Sequence, residues 1–440
     1  MNKRMLGISL VDGVKRRNLL CYLFVALLSS GYAGAMAILQ PGLLQVMGIP
    51  LEQQGKLTGL LGAIQETVFI LLLAVFGALA DKFGRRIIYA AGLLVCALGF
   101  VLYGTASSVT ELVLYRVIVA IGSAAMLGMM VTVIADYTEN STRGKANGLQ
   151  GFVATLGAFI PPVLASFPRL FVDGGLSETA AQQATFALTG ALGVVAAIVA
   201  WCGLSPLVGK VHQQTKTSVG QMLRQGAAAV KDPSIALSYG AAFISRGDLA
   251  VTGAFLGLWL VQHGTAHSGM TPSQAMQSLA VPAVLTVVSG AMIGSLLMGF
   301  IIDKVSRVRA VTIASGLAAL VYCSMFWVTD PTAGWVFLLL FAMGIAEISA
   351  FVASQALVGE RAPAASRGAV IGFFGVAGAV GILVGTAGGG YLFSVVGPAT
   401  PFVVFGALNA VVFVWSWWVR TGTASLKKQS AASAAKGVVS

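Results

Sequence analysis

Charge is what this chain has least of. Asp, Glu, Lys and Arg make up 10% of its 440 residues, against about a quarter in ordinary soluble proteins, so a soluble globular protein of this length is excluded. Histidine is scarcer still, with three in all and none in an apolar stretch. His263 and His267 read as exposed loop residues, too few to hold a metal. The four cysteines, Cys21, Cys96, Cys202 and Cys323, all fall in apolar runs without disulfide or metal spacing, and packing is the role expected of each. A phosphate-binding loop and a nucleophile motif are also lacking. No enzyme activity, cofactor or metal site is therefore expected.

What the chain has instead is apolar length. Hydrophobic residues reach 57%, and stretches of about 20 apolar residues, enough to cross a bilayer, recur along it. Six lie at 19–44, 58–80, 87–106, 111–135, 146–167 and 184–205, and six more at 236–262, 278–302, 308–328, 334–358, 368–396 and 399–419. The pattern predicts an all-α membrane protein of twelve transmembrane helices with no inserted soluble domain. The first stretch, after Lys15, Arg16 and Arg17, also has the form of a secretory signal. Removing it would leave five helices facing six, so it is read as the first span.

The longest interruption, from Ser205 to Pro233, carries Lys210, Lys216, Arg224 and Lys231. It reads as a linker between two six-helix halves, partly amphipathic and lying on the membrane surface. The expected divisions are 1–18, a cytoplasmic N-terminus; 19–205, the first half; 206–235, the linker; 236–419, the second half; and 420–440, a cytoplasmic tail. Of the 27 Lys and Arg, about 23 fall on one side when sorted by segment, and positive charge is retained in the cytoplasm. Both termini are thus expected there. The same sorting explains the net charge of +12 as a topology signal, and nucleic acid is not an expected partner.

The two halves repeat a motif. Gly77-Ala-Leu-Ala-Asp81-Lys82-Phe-Gly84-Arg85-Arg86 returns about 222 residues later as Gly299-Phe-Ile-Ile-Asp303-Lys304-Val-Ser-Arg307-Val-Arg309. A second pair recurs at nearly the same offset: Asp136 with Arg143, then Glu360 with Arg367. Two matches at one offset between apolar runs indicate two copies of one membrane unit, the architecture of transporters that rock about a central site.

The stretch from Gly77 to Arg86 resembles the loop 2–3 signature of the major facilitator superfamily, and Gly299 to Arg309 resembles its degenerate counterpart. The resemblance spans about residues 15–420 and implies a cytoplasmic gate. In it Asp81 would accept charge-assisted bonds, Arg85 and Arg86 would be its loop partners, and Gly77 and Gly84 would allow close approach or a tight turn. Asp303, Arg307, Asp136, Arg143, Glu360 and Arg367 would complete the gate. The competing reading is that these charges only enforce topology. Arg116 followed by Gly122, Ala124 and Ala125 is similar to the family's fourth-helix pattern, with Ala120 in place of a usual glycine. Gly157-Ala-Phe-Ile-Pro161-Pro162 is similar to the glycine-proline signature of proton-coupled exporters, though Pro161 replaces its second glycine. Helix 11 is rich in glycine from Gly372 to Gly390, which suits either sliding or close packing.

Five charged residues lie inside the predicted spans, where they cannot easily reach water: Glu66, Arg116, Arg246, Asp248 and Glu347. Each costs several kcal/mol unless it faces a cavity or a partner. At about 1.5 Å rise per residue, Glu347 lies roughly 20 Å from Glu360, and Arg246 and Asp248 roughly 15–18 Å into helix 7, so these three share one level. The family resemblance places helices 1, 4, 7 and 10 around the transport path. Arg246 and Asp248, two residues apart, point about 200° from one another; Arg246 with Glu347 is the expected pair, which leaves Asp248 to a proton or a substrate. Gly240, Gly247, Gly253 and Gly257 make helix 7 a site for local unwinding. Tyr32, Gln40 and Tyr239 fill out the expected cavity. A buried ion pair that only fixes helix packing, and an Arg116 that reaches the interface, are the structural alternatives.

The expected function is proton-coupled export, by antiport, of a small polar or zwitterionic organic solute such as a drug or secreted metallophore. Asp248, Glu347 and Glu66 would carry protons, and Arg246, Arg116, Tyr32, Gln40 and Tyr239 would meet the solute. The expected setting is a bacterial inner membrane, with the lipid bilayer, protons and a small-molecule substrate as partners and the chain acting as a monomer. Uptake of an organic anion by symport is one alternative, and a receptor or scaffold that no longer transports is another.

Overall fold

The computed structural model describes residues 4–5, 7–206, 219–363 and 366–437; Lys210 and Lys216 of the linker lie outside them. Among the described residues, twelve helices are long and apolar enough to cross a membrane. In order they are α1 (Arg16–Val46), α2 (Leu51–Phe83), α3 (Arg85–Gly104), α4 (Val109–Tyr137), α5 (Arg143–Asp173), α6 (Glu178–Gly203), α7 (Pro233–His267), α8 (Pro272–Lys304), α9 (Arg307–Trp327), α10 (Gly334–Arg361), α11 (Arg367–Val395) and α12 (Thr400–Thr421). Large apolar side chains point outward along them, with Leu114 57%, Phe300 68%, Leu320 67% and Leu338 73% exposed. Water would not tolerate so much bare apolar surface; lipid requires it.

The helices group into two units, one of Met1–Gln214 with Gly253–Leu285, the other of Thr215–Thr252 with Thr286–Ser440. The division passes through α7 and α8, so the later part of α7 and the first part of α8 pack with the first six helices.

In the first unit, α3 and α4 approach backbone to backbone. A Cβ on Gly122 would strike the Cys96 backbone, and one on Gly92 would strike Ala125 and Met126, so small residues here are a packing requirement. The span α5 is broken: its first helix ends at Gly157 and the next begins at Ile160. Pro161 and Pro162 bring no N–H to this turn. Gly157 sits against the Leu27 carbonyl of α1, and Ser30 donates to the Ala154 carbonyl at 2.7 Å. A two-stranded hairpin, β1 (Arg4–Met5) and β2 (Ile8–Ser9), precedes α1. The end of the hairpin and the residues after it are pinned to the end of α4: Glu139 N–H donates to the Ser9 carbonyl at 3.0 Å and Val11 N–H to that of Tyr137 at 3.1 Å.

In the second unit, α7 is helical throughout, and the unwinding expected from its glycines does not occur. Two of them receive large partners, Gly240 against Trp415 and Gly247 against Phe405. Gly378, Gly381 and Gly385 of α11 meet α7 at Arg246, the Phe243 carbonyl and the Gly247 backbone. Close packing, one of the two roles open to the α11 glycines, is the role of these three. The linker contributes a short helix, Val219–Ala228, whose Gly226 lies against α11 at Ala369 and Phe373. His263 and His267, expected in a loop, instead continue α7 and stack with ring centroids 4.9 Å apart. Residues one turn apart on a helix share a face, which a loop assignment could not supply.

Candidate functional site

Three groups of polar residues stand out, and every contact described in them is made within a single unit.

The first group sits where the repeated motif lies. The short connection between α2 and α3 turns at Gly84, whose φ of 99° suits a residue without a Cβ. Arg85, freed to open α3, reaches two carboxylates: its Nη2 is 2.6 Å from Asp81 and its Nε is 3.0 Å from Asp136 at the end of α4. In the second unit the repeat-related Arg307 lies with its Nε 3.2 Å from Glu360 at the end of α10, and it also donates to the Ile302 carbonyl. The spacing read in the sequence thus becomes the same contact twice, from the start of a third helix to the end of a fourth. Arg86 lies over the Trp201 ring at 4.9 Å. Arg143 donates to the Ala135 carbonyl at 3.3 Å, Gly77 has no neighbour where a Cβ would sit, and Asp303 and Arg367 are exposed.

The second group is the acidic cluster of the second unit. Asp248 is fully buried and Glu347 only 4% exposed. Asn409 of α12 presents its amide nitrogen to both Asp248 oxygens, at 3.0 and 2.9 Å, and to the Phe405 carbonyl at 3.0 Å. Glu347 Oε2 accepts a hydrogen bond from the Tyr322 hydroxyl of α9 at 2.9 Å. That hydroxyl is in turn 2.7 Å from Thr252 Oγ1, one helical turn beyond Asp248 on α7. Arg246, the partner expected for Glu347, has its guanidinium 5.2 Å from the Phe351 ring centroid and its stem against Gly378. Four helices, α7, α9, α10 and α12, thus converge on two carboxylates held by neutral donors.

The third group surrounds Arg116 in the first unit. Arg116 is 7% exposed and lies over the Tyr103 ring at 5.9 Å. Its Nε and Nη1 have no hydrogen-bond partner among the described residues. Tyr103 donates to Gln40 Oε1 at 2.9 Å, and Gln40 donates to Thr58 at 2.9 Å. Tyr32 is tied to the Thr189 carbonyl and set edge-on to Phe100. Tyr239, in the other unit, donates to the Gly226 carbonyl at 3.1 Å. Gln40, Tyr32 and Tyr239 therefore each have a structural partner of their own. Glu66 is half-buried on α2.

Both carboxylates and Arg116 are legible in the sequence because charge stands out in an apolar run. Asn409, Tyr322, Thr252 and Tyr103 are not, since neutral polar residues are common in membrane helices and nothing in one sequence sets the rotation of α9 or α12.

Comparison with known proteins places the fold. The chain is 27% identical over 413 residues to the magnetosome protein MamH of Paramagnetospirillum magneticum, covering 92% of each. It is 25% identical over 412 residues to the magnetosome protein MamZ of Magnetospirillum gryphiswaldense, 87% of this chain but 59% of that one. Over 121 residues, 26% of this chain and 22% of the relative, it is 31% identical to the multidrug transporter protein MdtP of Bacillus subtilis. Among solved structures, the nucleoside transporter NupG aligns with a TM-score of 0.70 at 14% identity, covering 91% of this chain and 98% of that one. A bacterial homologue of the human lysosomal transporter Spinster, inward-facing and unoccupied, aligns with a TM-score of 0.69 at 18% identity, covering 92% and 98%. The family profile described as Major Facilitator Superfamily matches residues 19–386 and, in a second alignment, 239–439. A twelve-span membrane protein, this chain belongs to the Major Facilitator Superfamily.

Proposed function

We propose that the protein is a proton-coupled secondary transporter that exports a small polar or zwitterionic organic solute by alternating access, in exchange for protons. The observation that carries this reading is the pair of buried carboxylates, Asp248 and Glu347, held by the neutral donors Asn409 and Tyr322. A carboxyl group in a water-poor interior is costly as a bare ion, and a proton is the simplest ligand that relieves the cost. Loading and unloading that proton gives the two states a coupled cycle needs. Arg116, buried, and Arg246, half-buried on α7, add positive charge, which suits a solute with an acidic group as well as a basic one. Hydrophilic drugs and secreted metallophores have that chemistry.

The ion pairs Arg85–Asp136 and Arg307–Glu360 serve, in this reading, as matched latches of a cytoplasmic gate. Asp81, Arg86, Arg143, Asp303 and Arg367 are kept in this reading as further gate residues. Glu66 is kept as a further proton carrier, and Tyr32, Gln40 and Tyr239 as residues that shape the solute path. The chain acts as a monomer in a bacterial inner membrane with both termini in the cytoplasm. The partial likeness to a multidrug transporter agrees with export.

Uptake of an organic anion is favoured by one observation of its own. Arg116 Nε and Nη1, buried without hydrogen-bond partners among the described residues, would suit a carboxylate. Reconstitution into liposomes with a pH gradient of either sign separates the two readings. Export predicts that solute moves against an opposing proton flow; uptake predicts that solute and protons enter together. Solute movement indifferent to both gradients would remove proton coupling.

A further inference from the structure

Two carboxylates share the second unit, and they differ in the kind of polar partner each has. Around Asp248 the polar partner has a fixed sense. The Asn409 nitrogen is also bonded to the Phe405 carbonyl, which only accepts, so the amide cannot turn its oxygen toward Asp248. Both Asp248 oxygens face that one donor. Among the described residues, no hydroxyl is bonded to them that could turn from donor to acceptor.

Around Glu347 the partners are hydroxyls, and they form a line. Glu347 Oε2, Tyr322 Oη and Thr252 Oγ1 follow one another at 2.9 and 2.7 Å. Thr252 Oγ1 also lies 3.7 Å from the Met343 sulfur, a weak acceptor. With Glu347 ionised, Thr252 donates to Tyr322 and Tyr322 donates to the carboxylate. With Glu347 protonated, the carboxyl donates to Tyr322, Tyr322 to Thr252, and Thr252 to Met343 Sδ. Only two hydroxyl hydrogens rotate between these states, no heavy atom has to move, and the single proton gained resides on Glu347 Oε2.

We propose that Glu347 is the proton-exchanging carboxyl, that Tyr322 and Thr252 are the positioning residues whose hydroxyls reverse to accept either of its states, and that Asp248, clamped by Asn409, keeps one protonation state throughout. This rests on the proton-coupled reading above, and assigns the proton to one of the two buried carboxyls of the second unit.

The test is infrared difference spectroscopy of the full-length protein between acid and neutral pH, read in the band of a protonated, water-excluded carboxyl. The wild type is prepared with carbon-13 carboxyl-labelled glutamate or, separately, aspartate, so no mutation is needed to tell the residue types apart. The band is expected to shift with labelled glutamate only, to vanish in Glu347→Gln and to persist in Asp248→Asn. Tyr322→Phe is expected to move the midpoint of the band's pH titration by about half a pH unit or more, while Asn409→Leu leaves it in place. A band that shifts with labelled aspartate, or that survives Glu347→Gln and disappears in Asp248→Asn, overturns the assignment. So does the absence of any such band in the wild type. Transport indifferent to pH gradients with the glutamate band intact would instead remove the proton-coupled reading of transport and leave the assignment of Glu347 standing.

Discussion

At the scale of single residues, the second unit separates positions that bear on packing from positions that bear on charge. Gly381 lies so close to the Phe243 carbonyl that a side chain has no room, whereas Gly375, on the same helix, has no neighbour within 4 Å of a Cβ. Gly381→Leu is expected to cost about 1–3 kcal/mol through overpacking, which in a unit of this size lowers the melting temperature by roughly 2–4 °C per kcal/mol. Gly375→Leu should leave it unchanged, and thermal unfolding in detergent compares the two. The ion pairs behave differently. Glu360 is half exposed, and such a pair contributes only about 0–1 kcal/mol to folding. Arg307→Glu should therefore leave the melting temperature nearly unchanged while slowing transport, and Arg307→Glu combined with Glu360→Arg should recover most of the rate. Failure of the double variant to recover would make the pair a topology signal. The sequence showed these charges because each interrupts or borders an apolar run. It did not show that Asp248 would take Asn409 as its partner, because the two are 161 positions apart and their meeting depends on helix rotations that no local pattern encodes.

At the scale of elements, helix count and order were readable because a bilayer demands about 20 apolar residues per crossing. Ends and interruptions were less so. The span expected at 146–167 is two helices meeting between Gly157 and Ile160, since Pro161 and Pro162 remove donors that hydropathy does not weigh. From the sequence, residues 1–18 are expected only as a cytoplasmic N-terminus. Its Ile8 and Leu10 are each 1% exposed, and its backbone runs along the end of α4 beside Asp136. Deleting residues 1–11 should strip the partners from Tyr137, Glu139 and Thr142. Hydrogen exchange across residues 137–142 is then expected to rise at least tenfold, equivalent to about 1.4 kcal/mol of lost protection. Unchanged exchange would show that the segment only rests there.

At the scale of the whole molecule, alternating access requires some contacts to break in each cycle. In the first unit, Glu178 at the start of α6 accepts from the backbone and hydroxyl of Ser273 at the start of α8, at 3.1 and 2.7 Å. Gln262 of α7 reaches Gln54 of α2 at 3.1 Å. These clasps join the first six helices to the next two, and a cycle in which the halves part must release them. Glu178→Cys bridged to Ser273→Cys by a short, reducible bifunctional thiol reagent, with the native cysteines replaced, should arrest transport until a reductant is added. Full activity in the bridged protein would mean that this end does not open.

The central claim is that proton and solute compete through Glu347, and the most direct measurement is proton release when solute is added to purified, weakly buffered protein. A panel of hydrophilic drugs, organic acids and metallophores is titrated into wild type, Glu347→Gln and Asp248→Asn. The account predicts that a bound solute displaces about one proton from wild type and from Asp248→Asn, and none from Glu347→Gln. Solute binding without release from the wild type would contradict antiport, and the two carboxylates would then serve as a fixed polar clamp between helices.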